Sequence, residues 1–151
     1  MRALQDSPWL LERVYRTAGA LLRPLRRWLV PGGPAEALMV RVERLTKGPL
    51  FDCRMCGECV LHSTGMTCPM TCPKNMRNGP CGGVGLDGSC EVLPDRPCVW
   101  AQAWRRAGGM PLYGHEIARV LPPVDRRLQD RSAWIAELQG RALRTPAGWD
   151  A

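Results

Sequence analysis

The sequence is short of the side chains that usually fill a core. One Phe and two Tyr accompany six Trp in 151 residues, although the hydrophobic share of 45% is ordinary. A single domain with a modest core is the default at this length, and bonding beyond packing is expected to hold its centre. No stretch approaches the roughly 18 uninterrupted apolar residues of a membrane span. The opening "MRALQDSPWLLERVYRTAGALL" carries no signal-peptide core, because Glu12, Arg13 and Arg16 interrupt it. No P-loop, no serine nucleophile elbow and no internal repeat occurs, which removes the commonest phosphate-binding and hydrolytic signatures. The expectation is a cytoplasmic protein whose thiols stay reduced.

Positive charge is abundant but unevenly placed. The net +7 divides into +5 over residues 1–50 (nine Lys/Arg against four Asp/Glu), −1 over 51–98 (four against five) and +3 over 99–151 (eight against five). The surplus lies in the flanks, away from the thiols. This favours a basic docking surface over a nucleic-acid partner, and no nucleic-acid binding is expected.

All eight cysteines fall between Cys53 and Cys98, spaced C-x2-C-x2-C-x8-C-x3-C-x8-C-x8-C-x7-C. Disulfides are disfavoured without a secretory context. Zinc prefers two pairs separated by a longer loop, whereas Cys53, Cys56 and Cys59 follow the triplet rhythm with which ferredoxin-type chains wrap a four-iron cube. Cys68 and Cys72 each precede a proline, which turns the chain away from a bound group. Two [4Fe-4S] clusters are therefore favoured, with zinc, or one cluster plus zinc, as the alternative. The candidate ligands are Cys53, Cys56, Cys59, Cys68, Cys72, Cys81, Cys90 and Cys98. The first three are grouped with one distant cysteine and the other four form the second set. No catalytic residue is assigned. His62 and His115 are expected in structural roles. Arg54, Lys74, Arg77 and Arg96 lie between ligands, where they can balance negative charge.

Around this turn-rich segment the pattern predicts helices. Residues 8–29 carry a stripe of Leu10, Leu11, Val14, Ala18, Leu21, Leu22, Leu25 and Trp28, with Ser7 as N-cap, Pro8 at the first position and a break at Pro24. After a "PGGP" linker, a helix over 35–46 is expected to use Ala37, Leu38, Val42 and Leu45. A third helix follows Cys98 and ends at Gly108, with Trp100, Ala103, Trp104 and Ala107 on one face. A fourth is expected near 130–143, marked by Trp134, Ile135, Leu138 and Ala142. The predicted fold class is a small α-rich, irregular, metal-stabilised domain with a cysteine-rich loop core flanked by helices. Its parts are N-terminal amphipathic helices and linker (1–47), a cysteine-rich cluster-binding domain (48–110) and a C-terminal loop and helix (111–151). Packing of helix 8–29 on its own domain or a partner is favoured over contact with a membrane surface.

The stretch "PLFDCRMCGECVLHSTGMTCPMTCPKNMRNGPCGGVGLDGSCEVLPDRPCVWAQAW" closely resembles the methylenetetrahydrofolate reductase C-terminal domain family, with "CPMTCPK" and "RNGPCGG" as its specific blocks. "PPVDRRLQDRSAWIAELQGR" is similar to the family's closing segment, which usually has Ser-Ser-Trp where Ser132, Ala133 and Trp134 stand. The resemblance spans roughly 48–141 and leaves helix 8–29 outside. It implies a small iron–sulfur subunit, non-catalytic alone, that relays electrons from a low-potential donor to a flavin-bearing reductase of one-carbon metabolism. FAD or FMN would sit on that partner and the eight cysteines would be the cluster ligands. The rival is a zinc-binding structural or assembly subunit of a folate- or corrinoid-dependent methyl-transfer system.

Overall fold

Prolines place the first helices. Pro8, whose ring fixes φ, opens α2 (Pro8–Leu22) after a short α1 (Arg2–Gln5). Pro24 cannot continue the ladder, and the chain tightens into a 3-10 segment, Arg23–Arg27, as the sequence predicts. Ser7 occupies the N-cap position but makes no capping hydrogen bond through its side chain. Pro34 opens α3 (Pro34–Phe51), which runs past the expected 35–46. Pro49 lies inside its last turn, and Asp52, in the left-handed region at φ 50°, ends it. The computed structural model describes residues 2–145 and 148.

The centre is built of turns, as its composition predicts. Two 3-10 turns, Leu61–Ser63 and Pro69–Thr71, and two isolated bridges, Val84 with Cys90 and Ser89 with Pro97, are its regular features. No strand is present among the described residues and the protein is about 48% helical, in keeping with an α-rich, irregular fold. α4 (Val99–Ala107) ends at Gly108 as expected, burying Trp100, Ala103 and Ala107. Trp104 departs from that face and is exposed. The last helix, α5 (Ala133–Leu138), is far shorter than 130–143. Asp130 at φ 62° cannot be helical, the Ser132 hydroxyl caps Ile135 N–H at 3.2 Å, and Gly140 at φ 62° stops the far end.

The larger correction concerns which faces turn inward. The predicted stripes of α2 and α3 are largely exposed: Leu10, Val14, Leu21, Leu25 and Trp28 on the first stretch, and Leu38, Val42 and Leu45 on α3, where Leu45 is 76% exposed. Carboxylates occupy the inner faces instead. Glu12, 0% exposed, accepts the backbone N–H of Leu112 and of Tyr113, both at 3.1 Å to Oε2. Glu43, 2% exposed, accepts from Lys47 Nζ at 2.7 Å, the Ser132 hydroxyl and Trp134 N–H at 3.2 Å. Glu36 takes the Gly32 N–H at 2.7 Å and a two-pronged contact from Arg131 at 2.9 and 2.6 Å. Burying a charge is tolerable only with such partners. The acids act as clamps that draw the chain of 112–134 over the N-terminal helices.

The apolar core is small. Leu11, Leu61, Met66 and Met110 form one cluster, against which Tyr15, Phe51, Cys59, Cys68 and Tyr113 pack. A second holds Cys98, Trp100 and Ala103. No helix among the described residues is long and apolar enough to cross a membrane.

Candidate metal centre

The first thiol turn leaves the end of α3. Met55 (φ 50°) and Gly57 (φ 77°) give Cys53, Cys56 and Cys59 their tight curl. Glycine is required at 57, because a Cβ there would run into the Leu128 carbonyl. The C-terminal loop lies against this turn: Asp130 N–H donates to the Met55 carbonyl at 2.8 Å, and Gln129 Nε2 to the Arg54 carbonyl at 2.9 Å. Below it, the buried Glu58 accepts Asp125 N–H at 3.1 Å and pairs with Arg77 at 3.6 Å.

Two cavities divide the cysteines. Cys53, Cys56, Cys59 and Cys68 line the narrower, about 20 Å³, with Glu43, Lys47 and Arg77 in its walls. Cys72, Cys81, Cys90 and Cys98 line the wider, about 430 Å³, together with Lys74, Arg96, Arg105 and Arg106. Cys68 borders both. Cys53, Cys56 and Cys59 thus share one cavity and Cys72, Cys81, Cys90 and Cys98 the other, with Cys68 at the border of both. The 3-10 turn Pro69–Thr71 separates Cys68 from Cys72, and both line the wider cavity. Backbone bonds hold the later thiols: Cys90 N–H to the Arg96 carbonyl at 3.0 Å and Cys98 N–H to the Gly88 carbonyl at 2.8 Å. All eight cysteines are free thiols.

Burial raises the pKa of the Cys53 and Cys56 thiols, and it pushes Cys68 up to about 12 with help from the neighbouring Cys59. Counter-charges stand beside them. Lys47 is buried, which opposes its charge, yet Cys59 and Glu43 at its side hold its pKa above the ordinary lysine value. Arg77 opposes the rise that burial causes at Cys56. Met55 N–H donates to Cys53 Sγ at 3.4 Å, the kind of bond that steadies a thiolate.

Among the described residues, no group of three or more His, Cys, Asp or Glu side chains is placed to hold a metal ion. Cysteine sulfur is a donor common to zinc and to iron–sulfur groups. The wider cavity also has the space, and the narrower would have to part its walls.

The other predicted residues are dispersed. His62 lies away from the thiol rooms, stacked on Tyr15 with centroids 5.0 Å apart and with Nε2 3.3 Å from Glu116. His115 is exposed on a 3-10 turn, Gly114–Ala118. Arg54 pairs with Asp52 at the surface, Lys74 pairs with Glu91, and Arg77 is buried. Arg96 lines the wider cavity, so Lys74, Arg77 and Arg96 stand beside thiols. Lys47, Glu43 and Arg106 were not anticipated; the i,i+4 spacing of Glu43 and Lys47 was the available signal. Gly83, Gly85 and Gly88 fall in G-x-G-x-x-G register, but they sit around the Val84–Cys90 bridge and not between a strand and a helix, so they form no dinucleotide fingerprint.

A family model described as methylene-tetrahydrofolate reductase C terminal matches residues 34–127, more than half of the chain. The match includes all of α3, every cysteine and α4, and leaves out α2 and α5. No curated protein and no solved structure matches the chain.

Proposed function

The chain belongs to the methylene-tetrahydrofolate reductase C-terminal family, and from that premise we propose that it is an iron–sulfur electron-transfer subunit working in the cytoplasm with a flavin-bearing reductase. Membership links it to folate one-carbon chemistry and to association with a methylenetetrahydrofolate reductase-like protein. The observation that carries the finer reading is the division of eight free thiols between two cavities.

In this reading Cys53, Cys56, Cys59 and Cys68 hold one [4Fe-4S] cluster, and Cys72, Cys81, Cys90 and Cys98 hold the other. Such clusters pass single electrons, which a flavin can collect in pairs. The chain's own residues supply the setting. Lys47 and Arg77 offset thiolate charge in the first room, Lys74, Arg96 and Arg106 in the second, and the Met55 N–H donates to sulfur. FAD or FMN belongs to the partner, and the electrons come from a low-potential donor.

Purification without oxygen, followed by iron, sulfide and zinc analysis, tests this. Iron and acid-labile sulfide sufficient for two clusters per chain, with an absorbance band that bleaches on dithionite reduction, is the expected result. Stoichiometric zinc without sulfide would overturn it and leave a zinc-stapled assembly subunit.

A further inference from the structure

A third cavity, of about 910 Å³, shares no lining residue with either thiol cavity. It is a cleft between α5 on one side and α2 with its 3-10 segment on the other. Two sets of hydrogen bonds tie these walls together. The Tyr15 hydroxyl donates to Glu137 Oε1 at 2.6 Å. Gln139 Nε2, just beyond α5, donates to the Arg26 and Leu29 carbonyls at 2.9 and 2.8 Å. Tyr15 and Trp134, stacked with centroids 5.0 Å apart, supply apolar lining. Arg16, Arg23 and Arg26 supply the charge, and their spacings of seven and three keep them on one side of the helical path. Among the described residues none of these three pairs with a carboxylate. The described lining has one acid, Glu137, which the Tyr15 hydroxyl already engages. Between Glu12 and Glu36 the sequence has no acidic residue, so the field over the cleft is positive.

We propose that this cleft binds a small molecule carrying a diphosphate group. Every basic side chain in the lining is arginine, whose planar fork donates two hydrogen bonds at once to phosphate oxygens. Three unpaired guanidiniums match the charge of a diphosphate better than that of a single carboxylate. All three are exposed, so a ligand meets them without breaking an existing ion pair. The volume lies in the range of small-molecule sites, roughly 300–1,000 Å³. An extended polyanion would need a track along the surface, whereas this site is held between two tied walls. Of its lining residues only Tyr113 falls within 34–127, so the matched family region does not account for it.

Titration calorimetry of the full chain, purified without oxygen, with ADP and with inorganic pyrophosphate tests the proposal. Saturable one-to-one binding is expected. ADP binding alone would identify a nucleotide source, and equal binding of pyrophosphate an inorganic one; both support the site. Arg23→Gln with Arg26→Gln should weaken binding at least twentyfold, since each removes charge-assisted hydrogen bonds. Arg27→Gln, exposed but outside the cavity, should change it less than threefold. Circular dichroism should show these surface substitutions folded. No saturable binding of either probe, equal binding of citrate, an equal loss in Arg27→Gln, or tighter binding of single-stranded RNA would each overturn it. Iron content measured before and after titration separates this binding from chelation at the thiols. The cleft shares no residue with them, so the proposal can fail without touching the function proposed above.

Discussion

The inner faces of α2 and α3 and the inside of the 53–98 segment solve burial in opposite ways. The helices turn carboxylates inward, and each one meets its donors within the same chain: Glu12 at Leu112 and Tyr113, Glu43 at Lys47, Ser132 and Trp134, Glu36 at Gly32 and Arg131. The central segment turns sulfurs inward, and most of them face a cavity. The first region is satisfied by polypeptide alone. The second has turns, little regular structure and a small apolar core, so under the proposed function its order would depend on what the sulfurs bind.

The sharpest way to separate the two is to remove a thiol. Cys56→Ser should lose one cluster's iron and sulfide and leave 53–72 open to protease, while α5 keeps its protection from hydrogen exchange. Loss of protection everywhere at once would show that the regions are not independent. Glu43→Ala attacks the other side. It leaves Lys47 buried without its carboxylate and should cost about 3–5 kcal/mol in denaturant melts, with iron content held if the thiol room stands without that clamp.

A smaller effect separates them by pH. Burial works to raise the Glu36 carboxyl, but Arg131 and the Gly32 and Ser132 amides outweigh it and hold the group below its ordinary value of 4.5. A depressed carboxylate contributes stability that is present above the unfolded value and lost as pH falls through the folded one. Acidification below about pH 4.5 should therefore destabilise the wild-type protein, and Glu36→Gln should flatten that dependence while lowering neutral-pH stability by about 2 kcal/mol. Glu58, raised by burial, has the opposite sign and makes the difference between variants the quantity to measure. At the bottom of the scale, Arg54→Ala breaks the exposed pair with Asp52 and should change stability by less than about 1 kcal/mol.

Local chemistry was legible and long-range chemistry was not. Pro8, Pro24 and Gly108 mark boundaries through their own backbones, and the structure keeps all three. The Cys53–Cys59 rhythm announced a shared turn, but only the fold shows that Cys68 stands where the two cavities meet. The stripe of Leu38, Val42 and Leu45 misled because periodicity reports a face and not its direction. What turns α3 over is Glu36 and Glu43, whose donors at Arg131, Ser132 and Trp134 leave no local trace. The last helix shrinks for a related reason, since Ser132 and the chain before it are engaged by those same acids.

The carboxylate clamps carry a consequence for synthesis. Glu12 and Glu43 reach residues 100 and 91 positions downstream. While the nascent polypeptide leaves the ribosome, α2 and α3 emerge with charged undersides whose long-range partners are not yet made. All eight sulfurs emerge before Leu112, Ser132 and Trp134 can close over the helices. Under the proposed function, metal insertion would have an interval in which the thiols are translated before Arg131 and Ala133 complete the wall of the narrower cavity.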